Sequence, residues 1–198
     1  MKIGDNIKSN HELFIYTIIS NFINILEQFR NVDRNTFNMK NINYNNNSID
    51  NHSFFIKVFN LKITNLKKNG LFNIYNTNKD KQIIFIVESI STKLFTEIKN
   101  SYDNIEIFLI NDIIHNCYEN ILQCHYKLLT REEVSVLKKN YNIFDNKIIP
   151  KIKKSDIIVR LFNAKVNDIF QITRFNPDFG KDIFYRIVIN SNYDDIFI

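Results

Sequence analysis

The stretch that decides the fold is Gln82–Val87, which reads Gln-Ile-Ile-Phe-Ile-Val. A continuous run of branched and aromatic apolar residues of this length is typical of a strand buried on both faces. Residues Ile105–Ile110 form a second such run, and the spacing of apolar residues between the two predicts a helix over Thr92–Lys99. A further short helix is predicted over Asp112–Asn120. Strand, helix, strand and helix in this order predict an α/β layer with at least one parallel pair of strands.

Toward the N-terminus, apolar residues recur at helical spacing over Asn10–Phe29, which predicts an amphipathic helix with a wide buried stripe. Residues 30–52 are rich in asparagine and are predicted to be a loop or an irregular stretch. Three short β-like runs follow, the third directly after the turn dipeptide Asn69-Gly70. These runs are Phe54–Phe59, Leu61–Leu66 and Leu71–Tyr75.

Toward the C-terminus, the pattern becomes that of a compact α+β module. Thr130–Glu133 is a capping box, in which the threonine hydroxyl accepts from the amide three residues on and the glutamate carboxylate accepts from the threonine amide. Asp156 is predicted to cap a second short helix, and Asn163 to end it in the left-handed conformation. Ile169–Arg174 and Ile183–Ile189 alternate as strands, so the module is predicted to end in a β-hairpin.

Composition places the chain among ordinary globular proteins. The 198 residues carry a formal net charge of +5. Up to residue 120 there are 13 basic and 12 acidic residues, and the remainder has 13 and 9, so the C-terminal part is the more basic. This excess favours contact with phosphate or an acidic partner but does not identify a nucleic-acid binder that acts alone. Overuse of Asn, Ile and Lys, with only three glycines, is typical of an AT-rich genome.

Cysteine content and hydropathy indicate a reducing compartment and no membrane partner. The two cysteines, Cys117 and Cys124, are too few for a secreted disulfide framework, and no secretory signal is recognisable. The most apolar stretch, Leu13–Leu26, is interrupted by polar residues and is shorter than the roughly 20 residues of a membrane span.

The C-terminal module resembles subunit 5 of eukaryotic DNA-directed RNA polymerases and the shorter archaeal counterpart of that subunit. The resemblance runs in one order over about residues 123–189. The matching elements are His125–Glu133, Tyr141, Pro150–Ile152, Asp156, Lys165, Asp168–Ile169, Gln171–Arg174, Gly180 and Tyr185–Val188. Ile157 stands where the family prefers proline, and Asn163 and Asn167 replace two family glycines. These departures keep the local geometry and indicate a divergent member.

The resemblance implies a two-domain α+β protein. Residues 1–122 would form a jaw-like α/β domain, as in eukaryotic members, and residues 123–198 an assembly domain similar to the archaeal counterpart. The chain would be a non-catalytic subunit without a cofactor, bound to the largest polymerase subunit and supporting the lower jaw near downstream duplex DNA. Host cytoplasm and the virion are expected if the source is a large DNA virus, and the nucleus if it is cellular.

Three sets of residues are the candidate sites. The interface or structural residues are Pro150, Asp156, Arg174, Tyr185 and Arg186. The candidate phosphate or partner contacts are Lys147, Lys151, Lys153, Lys154 and Arg160, for which a solvated surface is the alternative. Phe170, Phe175 and Phe179 are candidate interface anchors, with core packing as the alternative.

The alternative function is a free-standing nuclease-like or DNA-binding protein. Glu88 follows the Gln82–Val87 strand with Lys93 nearby, but the tight Glu-x-Lys spacing and a second acidic residue are missing. A metal site at His115, Cys117, Cys124 and His125 is disfavoured because Cys-x6-Cys lacks the close pairing of structural zinc sites. No nucleophile elbow or phosphate-binding loop is present, so no catalytic residue and no metal ligand are predicted.

Overall fold

The computed structural model of the chain describes residues 9–60, 62–63, 70–114, 124–176 and 180–190. The fold class is α+β, as predicted. The chain divides into two compact units, residues 1–116 and residues 117–198. Each unit has its own four-stranded sheet.

The N-terminal unit combines one antiparallel and two parallel strand pairs in the order β1-β2-β3-β4. The predicted parallel pairing is therefore confirmed. Its elements are α1 (Asn10–Arg30), β1 (Ser48–Asp50), β2 (Phe54–Phe59), α2 (Leu71–Thr77), β3 (Gln82–Val87), α3 (Thr92–Ser101), β4 (Ile105–Leu109) and α4 (Ile110–Ile114).

Helix α1 begins at a capping box and packs on one face of the sheet. Ser9 Oγ accepts from the Glu12 N–H and the Glu12 carboxylate accepts from the Ser9 N–H, each at 3.2 Å. The register places Val58, Ile86 and Phe108 in one row across the sheet, and Phe22 of α1 meets Phe108 with ring centroids 5.1 Å apart. This row therefore faces α1. Within the described part of the chain, no helix has the length and apolar character needed to cross a membrane.

A bidentate ion pair lies between α1 and the sheet. Arg30 Nη1 and Nη2 donate to Glu106 Oε1 and Oε2 at 3.0 and 2.6 Å. The Gln82 amide donates to Glu106 Oε1 at 3.0 Å. The two charged side chains are only 10% and 11% exposed, so the pair joins the last turn of α1 to β3 and β4 with little solvent screening.

Two predictions for this unit were wrong. Leu71–Tyr75, predicted as β-like, belongs to helix α2. Gly70 adopts a left-handed φ of 66° and its carbonyl accepts from the Ile74 N–H at 3.1 Å, so the turn starts a helix. Strand β1 lies inside the predicted loop of residues 30–52. Leu61 and residues 64–66 of the second β-like run, and residues 115–120 of the last predicted helix, lie outside the described residues.

The C-terminal unit contains a sheet in the order β5-β7-β8-β6, in which only β6 runs parallel to its neighbour. The predicted hairpin is its centre, and the strands β5 and β6 on either side were not predicted. Its elements are β5 (His125–Leu128), α5 (Arg131–Asn140), β6 (Lys151–Lys153), α6 (Ile157–Leu161), β7 (Ile169–Asn176) and β8 (Gly180–Ile189).

Both faces of this second sheet bury apolar side chains. On one face, Phe170, Ile172 and Val188 pack with Val159 of α6. On the other, Ile169 and Ile187 pack with Leu137 of α5. Of the two roles left open for Phe170, interface anchor or core packing, the structure shows core packing, because this side chain is completely buried between Tyr126 and Phe162, with ring centroids 6.3 and 5.2 Å away.

Three local signals of the C-terminal unit are confirmed. Asp156 Oδ1 accepts from the Ile158 N–H at 2.9 Å and begins α6. Asn163 and Asn167 have φ of 51° and 75°, so both adopt the left-handed conformation that their side chains tolerate better than most. The capping box at Thr130 and Glu133 begins α5.

The capping box predicts a pH dependence. The hydrogen bond from Lys127 Nζ, followed by that from the Thr130 N–H, lowers the pKa of Glu133. A carboxylate whose pKa is lowered by folding stabilises the folded state fully at pH values above its ordinary pKa of 4.5. This stabilisation is lost as the pH falls through the lower pKa of the folded state. We expect Glu133→Gln to flatten the loss of thermal stability on acidification below about pH 4.5. Unfolding midpoints measured against pH check this, and parallel curves for variant and wild type would contradict it.

Candidate protein-docking groove

The five predicted interface residues line one groove in the C-terminal unit. Its volume is about 510 Å³. Most of its other lining residues are apolar. The described residues that line it are Cys124, Tyr126, Tyr141, Ile143, Ile148, Ile149, Pro150, Ile152, Asp156, Ile172, Arg174, Phe184, Tyr185 and Arg186.

The hairpin places the two arginines on the same face of the sheet. The register pairs Phe170 with Arg186, Ile172 with Phe184 and Arg174 with Asp182. Since directly paired residues share a face, Arg174 and Arg186 project on the face that carries Phe170 and Ile172. The two arginines therefore lie on the face of the sheet that packs against α6, next to its apolar side chains, and they line the groove there.

Pro150 and Asp156 have structural roles at the groove as well. The Pro150 carbonyl accepts from the Ile187 N–H at 2.8 Å and so joins the start of β6 to β8. Asp156 uses one carboxylate oxygen to cap α6, which helps to hold that helix at the margin of the groove. Neither role excludes contact with a partner, because both residues are exposed.

Tyr185 lies against Tyr141, with ring centroids 6.0 Å apart. Burial, followed by the neighbouring Tyr141, raises the pKa of Tyr185 above its ordinary value of 10.0. The phenol is therefore neutral near pH 7 and can act there as an apolar surface with a hydrogen-bonding end.

The charges of the groove favour an acidic partner. Among the lining residues that the structure describes, there are two guanidinium groups, those of Arg174 and Arg186, and one carboxylate, that of Asp156. No ion pair joins either guanidinium to a carboxylate among the described residues. A planar guanidinium with free donors is suited to bind a carboxylate in two-point geometry.

The predicted basic cluster does not line the groove. Lys147, Lys151, Lys153 and Lys154 are exposed and Arg160 is half-buried. Lys151 and Lys153 flank the buried Ile152 on β6, so they point to the opposite face of the sheet from Ile152. The structure therefore separates these lysines from the two arginines.

Sequence reasoning missed the apolar rim. Phe144 and Ile148 are 96% and 69% exposed, and Tyr141 is 65% exposed. Tyr141 and Ile148 line the groove, and Phe144 lies between them in the sequence, in the segment between α5 and β6 for which no element was predicted. The pairs Ile143-Phe144 and Ile148-Ile149 were the available signal, because large apolar side chains in an exposed segment mark interaction sites when they form a patch.

Of the other predicted anchors, Phe175 is 74% exposed near the end of the hairpin, while Phe179 lies outside the described residues.

Cys124 is half-buried in the groove and His125 is exposed on β5. His115 and Cys117 also fall outside. In the described ranges, no three His, Cys, Asp or Glu side chains lie close enough to hold a metal ion.

Comparison with known proteins identifies the C-terminal unit. The family model "RNA polymerase Rpb5, C-terminal domain" matches residues 115–188. DNA-directed RNA polymerase subunit Rpo5 of Pyrococcus abyssi is 34% identical over 74 residues, which are 37% of this chain and 89% of that protein. The chain belongs to the RNA polymerase subunit 5 family.

Other subunit 5 relatives come from an archaeon and from a large DNA virus. Subunit Rpo5 of Methanocaldococcus jannaschii is 34% identical over 71 residues, which are 36% of this chain and 90% of that protein. Subunit 5 of Acanthamoeba polyphaga mimivirus is 34% identical over 84 residues, which are 42% of this chain and 40% of that protein. All of the described lining residues fall within the matched range of residues 115–188, so this part of the groove belongs to the subunit 5 homology region.

Proposed function

We propose that this subunit 5 homologue is a non-catalytic subunit of a DNA-directed RNA polymerase, docked on the largest subunit through the groove. The N-terminal unit would support the lower jaw near downstream duplex DNA. In this role the chain does no chemistry and holds other parts of the enzyme in place.

The observation that carries the proposal is the convergence of the predicted interface residues in one groove of the family-matched unit. Arginine, tyrosine and other aromatic residues dominate the energetics of protein interfaces. Here Arg174, Arg186 and Tyr185 line the groove together with the exposed Tyr141 and Ile148. A protein partner would remove this apolar rim from water and supply carboxylates to the two guanidinium groups.

A role in assembly also fits the names of the relatives. Rpo5 of Pyrococcus abyssi and subunit 5 of mimivirus are each described as a subunit of a DNA-directed RNA polymerase. By the same relationship, other polymerase subunits are the partners proposed for this chain. Contact with downstream DNA would then be made through phosphates, which position a duplex without reading its sequence.

The exposed lysines provide a separate basis for contact with the nucleic acid. Lys147, Lys151, Lys153 and Lys154 lie in one stretch around the start of β6. Neutralised phosphates release counterions, so any such contribution would weaken as salt is raised. The groove contact would depend less on salt, because most of the described lining residues of the groove are apolar.

The site of action is the place where DNA is transcribed. The mimivirus relative and an amino-acid composition typical of an AT-rich genome support a large DNA virus as the source. For such a source we propose that the protein is located in the host cytoplasm and in the virion. A cellular source would instead place it in the nucleus.

Removing a groove arginine should weaken docking without unfolding the subunit. We expect Arg186→Ala to reduce the affinity for the largest polymerase subunit by about ten-fold or more, since a central interface arginine contributes on the order of 2 kcal/mol. Arg131→Ala is the matched control, because Arg131 is an exposed arginine of the same unit outside the groove. Titration of the purified largest subunit with each full-length variant measures the difference.

Recovery of the protein without its proposed partners would contradict docking. If the tagged wild-type protein is recovered from its native cells without the two largest polymerase subunits at moderate salt, the docking proposal fails. A metal-dependent nuclease assay on wild type and Glu88→Ala would then test the alternative function, because Glu88 is the exposed carboxylate that follows β3.

A further inference from the structure

One edge of strand β8 is open beside the groove. On one side β8 pairs with β7 along its length, from Ile169 opposite Ile187 to Asn176 opposite Gly180. On its other side it pairs with β6 only at Ile187–Ile189. Residues 180–186 of β8 therefore have no second neighbouring strand among the residues that the structure describes.

The backbone groups that face this open edge can be assigned. The Ile187 N–H donates outward to the Pro150 carbonyl at 2.8 Å, whereas the Val188 N–H donates to the Asp168 carbonyl, on the β7 side, at 2.8 Å. Backbone groups of successive strand residues point to opposite edges. Tyr185, Ile183 and Lys181 therefore direct their N–H and C=O groups outward, like Ile187.

The groove follows this edge. Phe184 and Arg186 project on one face of the sheet and Tyr185 on the other, yet all three line the same groove. A cavity touches both faces of one strand only where it passes around the strand's free edge. The outward N–H and C=O groups near Tyr185 therefore open into the groove.

We propose that an extended segment of the largest polymerase subunit adds a strand to this edge of β8, in line with β6. This inference rests on the proposed docking function and specifies its mode. An open edge of seven residues is about 23 Å long, which is enough for a strand of five or six residues. Backbone hydrogen bonds would provide affinity, and the groove would select side chains.

The groove also specifies the composition of the added strand. On the face of Arg186 and Arg174, carboxylate side chains of the partner would meet the two guanidinium groups. Apolar side chains on either face would lie against Phe184 or against the Tyr141–Tyr185 pair. The occupant is therefore an extended segment in which acidic and apolar residues are mixed.

The side chains along this edge of β8 indicate that a partner strand covers it, because they lack the features of an edge that stays open to solvent. Natural sheets protect long free edges with charges, bulges or proline because unpaired strands aggregate. Here Lys181 and Asp182 protect only the tip, while Ile183 and Phe184 are large apolar residues that are 49% and 42% exposed. A partner strand in the assembled enzyme would satisfy this edge.

The test removes one outward N–H and leaves the pairing with β7 intact. In Ile183→Pro the lost N–H points to the open edge, where proline is tolerated in strands, and Ile183→Val is the matched control that keeps the N–H. Titrated against the purified largest subunit, the proline variant should bind about ten-fold or more weakly, whereas the valine variant should stay within about two-fold of wild type. Circular dichroism and thermal unfolding verify that each variant is folded.

Hydrogen exchange gives a second readout that needs no variant. The amides of Ile183 and Tyr185 should exchange quickly in the free subunit and become protected in the complex with the largest subunit. Binding without protection of these amides, or equal binding of the folded proline and valine variants, would overturn strand addition while leaving the docking function standing. Failure of the wild type to bind would overturn both. Protection through self-association of the free subunit would assign the edge to a second copy and overturn the inference.

Discussion

Replacing Phe170 by alanine is expected to lower the free energy of unfolding of the C-terminal unit by about 3–5 kcal/mol. The ring is completely buried at the centre of the sheet, in edge-on contact with Tyr126 and Phe162. Truncation removes this aromatic packing and leaves a cavity between β7 and α6, since neighbouring strands cannot collapse to fill it. Urea denaturation of the full-length protein, followed by a probe in the C-terminal unit, measures the effect.

Phe175→Ala is the matched control for this experiment. Phe175 is another phenylalanine on the same strand, but its side chain is 74% exposed. Its truncation should change stability by less than about 0.5 kcal/mol. A similar loss of stability in both variants would contradict the division into a buried and an exposed phenylalanine.

The second large effect is expected in the N-terminal unit. Glu106→Ala should reduce its free energy of unfolding by about 3–5 kcal/mol, because Arg30 would remain as a buried charge without its carboxylate. The lost acceptor also leaves the Gln82 amide without this hydrogen bond. Thermal and urea unfolding, followed by a probe in the N-terminal unit, measure the change.

Two further variants isolate the cause. Lys81→Ala breaks the exposed ion pair with Asp50, which has an N–O distance of 2.9 Å, and should cost at most about 1 kcal/mol. Combining Arg30→Met with Glu106→Leu should recover much of the loss, because a buried ion pair can be replaced by apolar side chains at little net cost. A double variant as unstable as Glu106→Ala would show that packing, rather than the unpaired charge, causes the effect.

Sequence reasoning succeeded where the signal is local and long. The six residues of Gln82–Val87 and the helical spacing after Asn10 each fix one element, because burial repeats with the period of the structure. The capping box at Thr130 likewise gave the start of α5 correctly. These elements established the α+β class and the parallel pairing of β3.

Sequence reasoning failed where an element is short or its environment comes from distant residues. Strands β1 and β6 have three residues each, too few for a period to appear. The apolar spacing of Leu71–Tyr75 is compatible with the period of a helix and with that of a strand. Because β2 pairs directly with β3, and β3 with β4, this segment has no place between them as a strand. Phe170 could not be assigned to the core or to an interface from the sequence, because α5 and α6 cover both faces of the sheet and alternation does not reveal an exposed face.

The groove was predicted only in part. The resemblance named residues from three separate segments, around Pro150, Arg174 and Arg186, without showing that they meet. Their convergence depends on the pairing of β6 with β8, which brings residues more than 30 positions apart into register. The apolar pairs Ile143-Phe144 and Ile148-Ile149 signal a patch, but the sequence does not show that Phe144 and Ile148 are the exposed members.

The left-handed asparagines explain how this chain could drift so far in composition and keep its backbone. Among the described residues, five asparagines have positive φ, namely Asn31, Asn47, Asn142, Asn163 and Asn167. Asparagine tolerates the left-handed conformation better than most residues. Glycine loses more backbone entropy on folding, by roughly 0.5–1 kcal/mol, and this difference offsets the strain of asparagine at positive φ. Exchange of glycine for asparagine at such turns is therefore close to selectively neutral. Mutation pressure toward A and T can thus convert glycine codons into asparagine codons for long periods without changing the path of the chain.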